Sequence, residues 1–585
     1  MNSQRLLTML LVGMLLSACA HKHYRTEILD LKSADPQPKI FECAVDDNTV
    51  KEGRKLCEDS KSAKGGRKLC EDPISATSPD CHAIQHRFYS NQAVIDSKTD
   101  KRRPLDYYLS FVEFDDQGWF ADRGQMEALF ALLKKLEKED EDKQTNGHTL
   151  IYVYAHGWKH NASSCDNNVV CFSRLLERTD LAEVQVPVLR QMQTGCSTGN
   201  EMQDGFCMLQ KMKTSGKEMA KKVKRRTVVG VYLGWRGLPF GGFLNNASFW
   251  SRKEAAARVG RGGVFELLTR LKDYRDIRQK APTRGGPATQ LVITGHSFGG
   301  LVVYSALSHA LMERAAKTKI IDVEGCKAKD SKAKDCKKVV YDVAESFGDF
   351  VMLVNPAFQG SLYEPLFHIT TNRCYERAPW RKKQRPVMMI VTSKADNATG
   401  KAFPMGQTLG TLFQHAKSSD QKQSMRKAIG HDKRYLTHAL ESDGVKQKPV
   451  PDPRPCPCRF LTATSDRNFG EMLGPLIDAL LAKSYGEVNL TSVESPKYAS
   501  SYPYLVVNTD KGVIADHNAI YNERFITFTQ MFFIRHVAGS KPWTDPAPIC
   551  LVPKKNTQRT KSGLVPFEQS CQLDDEGNSC SGQTQ

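Results

Sequence analysis

The amino-acid sequence predicts an α/β fold, a mainly parallel sheet flanked by helices with cap-like insertions. Three observations carry that expectation. Short apolar runs of strand length alternate with helical or polar stretches through the middle of the chain, the pattern of strands joined by crossover helices. One run, Leu291 to Thr294, passes through Gly295-His296-Ser297-Phe298-Gly299-Gly300 straight into the apolar stretch Leu301 to Leu311, which reads as strand, tight turn, helix. The chain is also large and mixed enough to bury a sizeable core: 585 residues, 40% hydrophobic and 25% charged, with 26 Phe, 18 Tyr and 6 Trp. That composition excludes collagen-like, coiled-coil and wholly disordered classes, and at roughly 150 residues per domain the length holds several domains or one elaborated one.

Taken from the start, Arg5 and the apolar run Leu6 to Leu16 have the charged and hydrophobic regions of a secretory signal, too short to span a bilayer as a helix. Leu16-Ser17-Ala18-Cys19 resembles the lipobox of bacterial lipoproteins. The resemblance implies a signal peptide over residues 1–18, cleavage before Cys19, acylation of the Cys19 thiol and new amine, and a membrane partner reached through that lipid. One acyl chain binds only marginally and further chains make the anchor stable. Ala20, where Asp would be the retention signal, implies by the sorting pattern of such lipoproteins the outer membrane of a Gram-negative envelope. No apolar run reaches the roughly 18 to 20 residues of a spanning helix, so the mature chain is not expected to cross the bilayer.

Residues 19–102 are polar and contain a duplicated heptapeptide, Gly53 to Asp59 recurring as Gly66 to Asp72. One tandem copy is too few for a repeat fold, so this segment is expected to be a flexible, cysteine-containing stalk. Residues 541–585, rich in Pro, Lys, Ser and Gln, read as a tail. The α/β domain is expected over 103–540, with insertions at about 159–226, 314–340 and 397–500.

Of 17 cysteines, all but Cys19 are free to pair in an oxidising compartment. Near neighbours, Cys165 with Cys171, Cys196 with Cys207, Cys326 with Cys336 and Cys571 with Cys580, are the candidate disulfides. Cys456-Pro-Cys458 has neither a second pair nor a histidine at finger-like spacing, so no metal is expected.

Within the domain, Tyr107 to Phe114 reads as an early strand and Gly124 to Lys138 as a helix, with Met126, Leu129, Leu132, Leu133 and Leu136 on one face. Further strands are expected at Thr149 to Tyr154, ending in Ala155-His156-Gly157-Trp158, at Val228 to Leu233, at Phe350 to Val354, at Val387 to Thr392 and at Leu505 to Val507, which precedes the loop bearing His517. The amphipathic stretch Ile520 to Phe528 supplies a last packing helix.

The central motif is G-x-S-x-G, filled by Gly295, Ser297 and Gly299. A serine hydroxyl is a poor nucleophile unless a base takes its proton, and a sharp turn that lifts its oxygen above a sheet needs glycine where backbones approach closely. The bare pattern occurs by chance; between a β-branched strand and an apolar helix it has the context the chemistry demands. With that turn, with His156-Gly157-Trp158 after an earlier strand and with Asp516-His517-Asn518 before an amphipathic helix, the chain resembles the α/β-hydrolase superfamily, its lipases and esterases in particular. The resemblance covers about Tyr107 to Val537, with insertions.

It implies an α/β-hydrolase fold and a residue for each task. Ser297 attacks an acyl carbonyl, His517 takes its proton and returns it to the leaving group, and a carboxylate orients the imidazole. The backbone N–H groups of Phe298 and Trp158 meet the developing oxyanion. In this family the acid follows the strand two after the nucleophile strand or, in some lipases, one after. The earlier loop offers only Glu364; Asp349 precedes its strand. The later loop offers Asp396, at the carboxyl end of a strand. Asp516 adjoins His517 and needs a strained geometry to orient its neighbour's ring. Asp396 is therefore the expected acid, with Glu364 second.

By the same resemblance His156 and His296 are structural. His431 and His438 lie in the polar segment Gly430 to His438, which either touches the site or, as expected, serves at the surface or in packing. Lys159 to Lys224 is too long for a structureless connection and is expected to form a cap or lid. Its end, Lys211 to Arg226, carries eight Lys or Arg against one Glu. It either presses on anionic headgroups, at about 1 kcal/mol per charge, or is a solvated face. Leu238 to Leu244 and Phe249-Trp250 line an acyl pocket or belong to ordinary core. Despite the formal net charge of +18, no nucleic-acid module is recognisable and no nucleic-acid partner is expected.

The expected function is hydrolysis of carboxylic esters, lipid esters among them, by a serine enzyme without metal or organic cofactor. A thioesterase, amidase or peptidase uses the same triad, and an inactive envelope scaffold keeps the same fold. A periplasmic binding protein has no use for the serine on its turn.

Overall fold

The computed structural model describes residues 25, 28–30, 37–44, 81–88, 106–143, 148–194 except 165, 196, 203, 207, 210–211, 224–237, 249–317 except 284–285, 321–322, 340–341, 344–371, 384–442, 488–493, 502–537, 549–551 and 570–572. These fall into two compact units, one ending at Ala306 and the other beginning at Leu307. Each is a mixed, mostly parallel sheet flanked by helices.

In the first unit the strands of the main sheet are β1 (Ile40–Ala44), β2 (Ile84–Phe88), β3 (Asp106–Phe114), β4 (Thr149–Ala155), β5 (Thr227–Trp235) and β6 (Gln290–His296), and the helices are α1 (Arg123–Lys143), α2 (Asn167–Thr194), α3 (Phe249–Val259), α4 (Phe265–Gln279) and the start of α5 (Phe298–Ala316). The strand order is β6-β4-β5-β3-β2-β1. All neighbours are parallel except β2 and β3. Strands β4 and β6 are buried along their whole lengths, as a parallel sheet covered on both faces requires; hence they read as unbroken apolar runs. Helix α1 buries Met126, Leu129, Leu132, Leu133 and Leu136 and packs against β3, while α4 packs against β6.

Three features of this unit differ from the expectation. First, the segment read as a polar stalk (19–102) supplies β1 and β2, and β2 pairs residue by residue with β3 from Ile84↔Ser110 to Phe88↔Asp106. Arg25 is also drawn in: it is 1% exposed, donates from Nη2 to the Ala162 carbonyl at 2.7 Å and lays its guanidinium 3.6 Å from the Phe111 ring centroid. A strand that buries Gln85 and Arg87 beside Ile84 leaves only a weak apolar signature in sequence. Cys19 and the duplicated heptapeptide lie outside the described residues.

Second, much of the expected cap at 159–226 is α2, the crossover helix between β4 and β5, which packs on both β5 and β3. Its Leu176 fills the space that Gly230 leaves empty on β5; a Cβ on Gly230 would lie 2.2 Å from Leu176 Cδ1. Third, the end of the basic run is consumed inside the protein. Arg225 pairs with Asp180 of α2 and, at 3.4 Å, with Asp106; Arg226 donates from Nε to Glu183 at 2.9 Å. Burial pushes the Asp180 carboxyl up to about 7 even against Arg225.

In the second unit the strands of the main sheet are β7 (Phe350–Val354), β8 (Met388–Ser393), β9 (His438–Ser442), β10 (Val488–Ser492) and β11 (Tyr504–Thr509), with helices α6 (Gly360–Thr371), α7 (Phe403–Gly410), α8 (Ser419–Arg426) and α9 (Glu523–Phe532). The order is β10-β9-β11-β8-β7, parallel except for β9 with β10. Helix α9 is capped by Asn522, whose side chain accepts from Arg524 N at 3.0 Å. It packs on the sheet through Phe532, 5.6 Å from the Phe350 ring. Among the described residues no helix is long and apolar enough to cross a membrane.

Candidate active site

In the first unit, β6 ends at His296 and α5 begins at Phe298, leaving a single residue, Ser297, to make the turn. Ser297 has φ 55°, the left-handed region that costs a residue with a Cβ about 1–3 kcal/mol and persists only where the surroundings over-determine it. The surroundings are backbone. A Cβ on Gly299 would come 2.0 Å from the Ala155 carbonyl oxygen, and one on Gly295 would come 2.5 Å from Gly299 O. Both glycines of the motif are thus required by contact, and the end of β4 abuts the first turn of α5.

The loop after β4 lies against the serine. A Cβ on Gly157 would meet Ser297 Cβ at 2.9 Å, so residue 157 has room for hydrogen only. His156 holds this loop. Trp235 N–H donates to its Nε2 at 3.1 Å, which leaves the proton on Nδ1, and Nδ1 donates to Gly157 O at 2.8 Å. The ring stacks on Tyr232 and Trp235, each with centroids 5.5 Å away. The Trp158 ring faces Phe249 at 5.8 Å and Phe298 at 6.2 Å, giving an apolar aromatic trio beside Ser297.

Burial pushes the His156 imidazole down to about 4, although the Gly157 carbonyl favours its proton. Because the unfolded chain then binds a proton the folded chain refuses, stability falls as pH drops from about 6.5 to about 4, by about 3 kcal/mol in all. The parent should lose more melting temperature over that window than His156→Gln. Parallel curves of Tm against pH for the two proteins would contradict this.

In the second unit, Asp396 follows β8 and His517 follows β11, and the two are brought together: His517 Nδ1 donates to Asp396 Oδ2 at 2.8 Å. The Asp396 side chain is buried and also accepts from Ala398 N at 2.9 Å and Thr399 N at 3.0 Å and from the Thr399 hydroxyl. Burial alone would raise this carboxyl; the His517 and Thr399 donors outweigh it and hold Asp396 below the usual carboxylate range. An ionised Asp396 fixes the His517 proton on Nδ1 and leaves Nε2 as the basic nitrogen.

Two residues that the sequence did not single out, Asn355 and Thr399, support this pair. Asn355, at the end of β7 with φ 45°, donates from Nδ2 to the carbonyls of His517 (3.0 Å) and Asp516 (3.4 Å) and accepts at Oδ1 from Ser393 N (2.9 Å). One side chain therefore ties the ends of β7 and β8 to the histidine loop. Thr399 passes the network on: His431 Nε2 donates to its hydroxyl at 3.0 Å while that hydroxyl donates to Asp396. Of the two readings of its segment, His431 takes the one that touches the site, one hydroxyl away from the carboxylate, and burial lowers its pKa. Gly430 lets it approach, since a Cβ there would lie 1.9 Å from Thr392 Oγ1.

The rival acids are occupied elsewhere. Glu364, on α6, accepts from Arg434 Nη2 at 3.1 Å, from His368 at 3.0 Å and from the Tyr435 hydroxyl. Asp516 turns back on its own loop, accepting from Asn518 N and Ala519 N at 2.7 and 3.0 Å. His438 contacts its neighbour Thr437 at 2.9 Å. Among the described residues no group of His, Cys, Asp and Glu converges as a metal site does. Cys196 and Cys207 form a disulfide; each of the other three candidate pairs includes a cysteine outside the described residues, and Leu238 to Leu244, in the expected acyl-pocket segment, lie outside them too.

The first unit thus gathers Ser297, Phe298, Gly157 and Trp158, and the second gathers His517 and Asp396. The chain matches no protein-family model, no curated protein and no solved structure.

Proposed function

We propose that the chain is a serine hydrolase that cleaves carboxylic esters through an acyl-enzyme, with Ser297 as nucleophile, His517 as base and Asp396 as the acid of one triad. The observation that carries this reading is the backbone of Ser297, held left-handed between two glycines that no other residue can replace. Strain of that kind on a serine between a parallel strand and a helix has no evident use in packing alone. The His517–Asp396 pair, charge-assisted and correctly polarised, supplies the base such a serine requires.

In the proposed reaction His517 Nε2 takes the Ser297 proton as Oγ attacks the ester carbonyl. The oxyanion forms against the N–H groups of Phe298 and Trp158, each donor contributing about 10²–10³ in rate. Collapse expels the alcohol, which takes the proton back from His517. Water, deprotonated by the same nitrogen, then releases the acid. The Trp158, Phe249 and Phe298 rings favour an apolar acyl group. A panel of acyl esters graded in chain length, phospholipids included, tests this: turnover on esters with a preference among chain lengths is expected, and no turnover on any ester, thioester or amide would sink the reading.

The proposal includes an envelope location. Cys19 is acylated after removal of residues 1–18 and tethers the enzyme to the outer membrane. Cys19→Ala should shift the protein from the membrane to the soluble fraction, or block its processing. Normal processing with unchanged membrane retention in cell fractionation would refute the anchor.

A further inference from the structure

Helix α7 and the turn after it have one buried side and one exposed apolar side. Phe403, Gln407 and Thr411, four residues apart, are buried and fasten the helix to the protein, with Gln407 Nε2 donating to Met425 O at 3.2 Å. The other side holds Met405, Leu409, Leu412 and Phe413, which are 71%, 73%, 60% and 98% exposed. They are four of the ten large apolar side chains left exposed among the described residues, and they crowd into one stretch of nine. Single exposed apolar residues are ordinary; a helical stripe ending in a fully exposed phenylalanine marks a surface that meets something else.

The surrounding charge says what. Residues 401–427 carry five Lys and Arg against a single Asp, and Lys401, Lys417 and Lys422 are exposed beside the stripe. Between the turn and α8 a pocket of about 240 Å³ is lined by Thr411, Gln414, His415, Lys422 and Arg426 among others, with room for a phosphate ester. Apolar side chains at a projecting tip, rimmed by lysines and backed by a basic pocket, match the layering of an anionic bilayer: acyl chains inside, phosphates at the surface. A protein partner would have to offer a concave apolar socket with an acidic rim, whereas a bilayer needs no such preformed shape. We propose that α7 and residues 411–413 dock on anionic phospholipid, with Leu409 and Phe413 among the acyl chains and Lys417 and Lys422 at the phosphates. The surface begins seven residues after Asp396, so docking sets the loop of the proposed acid beside the lipid. It rests neither on the hydrolase reading nor on Cys19.

The test uses the full-length chain, with its N-terminus as its host leaves it, carrying Phe413→Trp and reconstituted on vesicles. Its emission is read as the difference from the parent. On phosphatidylcholine vesicles containing phosphatidylglycerol, Trp emission should shift to the blue and be quenched by brominated acyl chains, about tenfold more than on phosphatidylcholine alone. Adding Lys417→Gln with Lys422→Gln should abolish the difference between the two vesicles. Leu409→Trp, also at an exposed position, gives the same reading should the first variant fold poorly. A Trp that stays water-exposed on both vesicles, or is quenched equally on both, overturns the proposal. So does a Trp shielded from aqueous iodide yet untouched by brominated lipid, which means protein covers the face.

Discussion

Ser297→Ala is expected to lower kcat on any accepted ester by about 10⁶, leaving only what the oxyanion donors and substrate binding supply. The chain should stay folded. The substitution removes one oxygen and keeps the Cβ that packs against Gly157, and alanine bears φ 55° no worse than serine does. The check is kcat beside a thermal unfolding curve. Activity within a few-fold of the parent in a folded variant would remove Ser297 from the mechanism.

The second large effect separates the two acids. Asp396→Asn should lower kcat by up to about 10⁴. An asparagine still accepts from Thr399 and Ala398, but its amide end presents N–H to His517 Nδ1 and favours the tautomer that carries its proton on Nε2, where the serine's proton must go. Glu364→Gln should change kcat little, because Glu364 spends its oxygens on Arg434, His368 and Tyr435; its cost falls on stability. The opposite ranking, in two folded variants, would move the acid to the earlier strand.

The strands were legible because a parallel sheet buried on both faces shows as continuous apolar runs: Phe350–Val354 coincides with its run, and β4, β5, β6 and β11 extend theirs by a residue or more at the ends. Ser297 was legible because its turn imposes glycine at fixed offsets, and Asp396 because few acids follow a strand at its carboxyl end. What stayed hidden depends on contacts between residues far apart in sequence. Asn355 reaches His517 across 162 positions, and Thr399 reaches His431 across 32; no periodicity announces such bonds. A weak signal existed for Asn355, since asparagine tolerates positive φ better than most residues. Strand β2 is hidden in the sequence because two of its buried positions, Gln85 and Arg87, are polar, and Ile84 alone beside them makes no apolar run. The crossover helix α2 passed for a cap because length alone does not distinguish the two, and Gly230, the position that seats Leu176, carries no pattern of its own.

The central claim is that Ser297 is a nucleophile activated by His517. The most direct measurement is labelling of the folded protein with a fluorophosphonate, followed by peptide mass spectrometry. A single adduct on Ser297 is expected, formed far more slowly in His517→Ala. A folded protein that takes no label, or takes it on another residue, would contradict the claim.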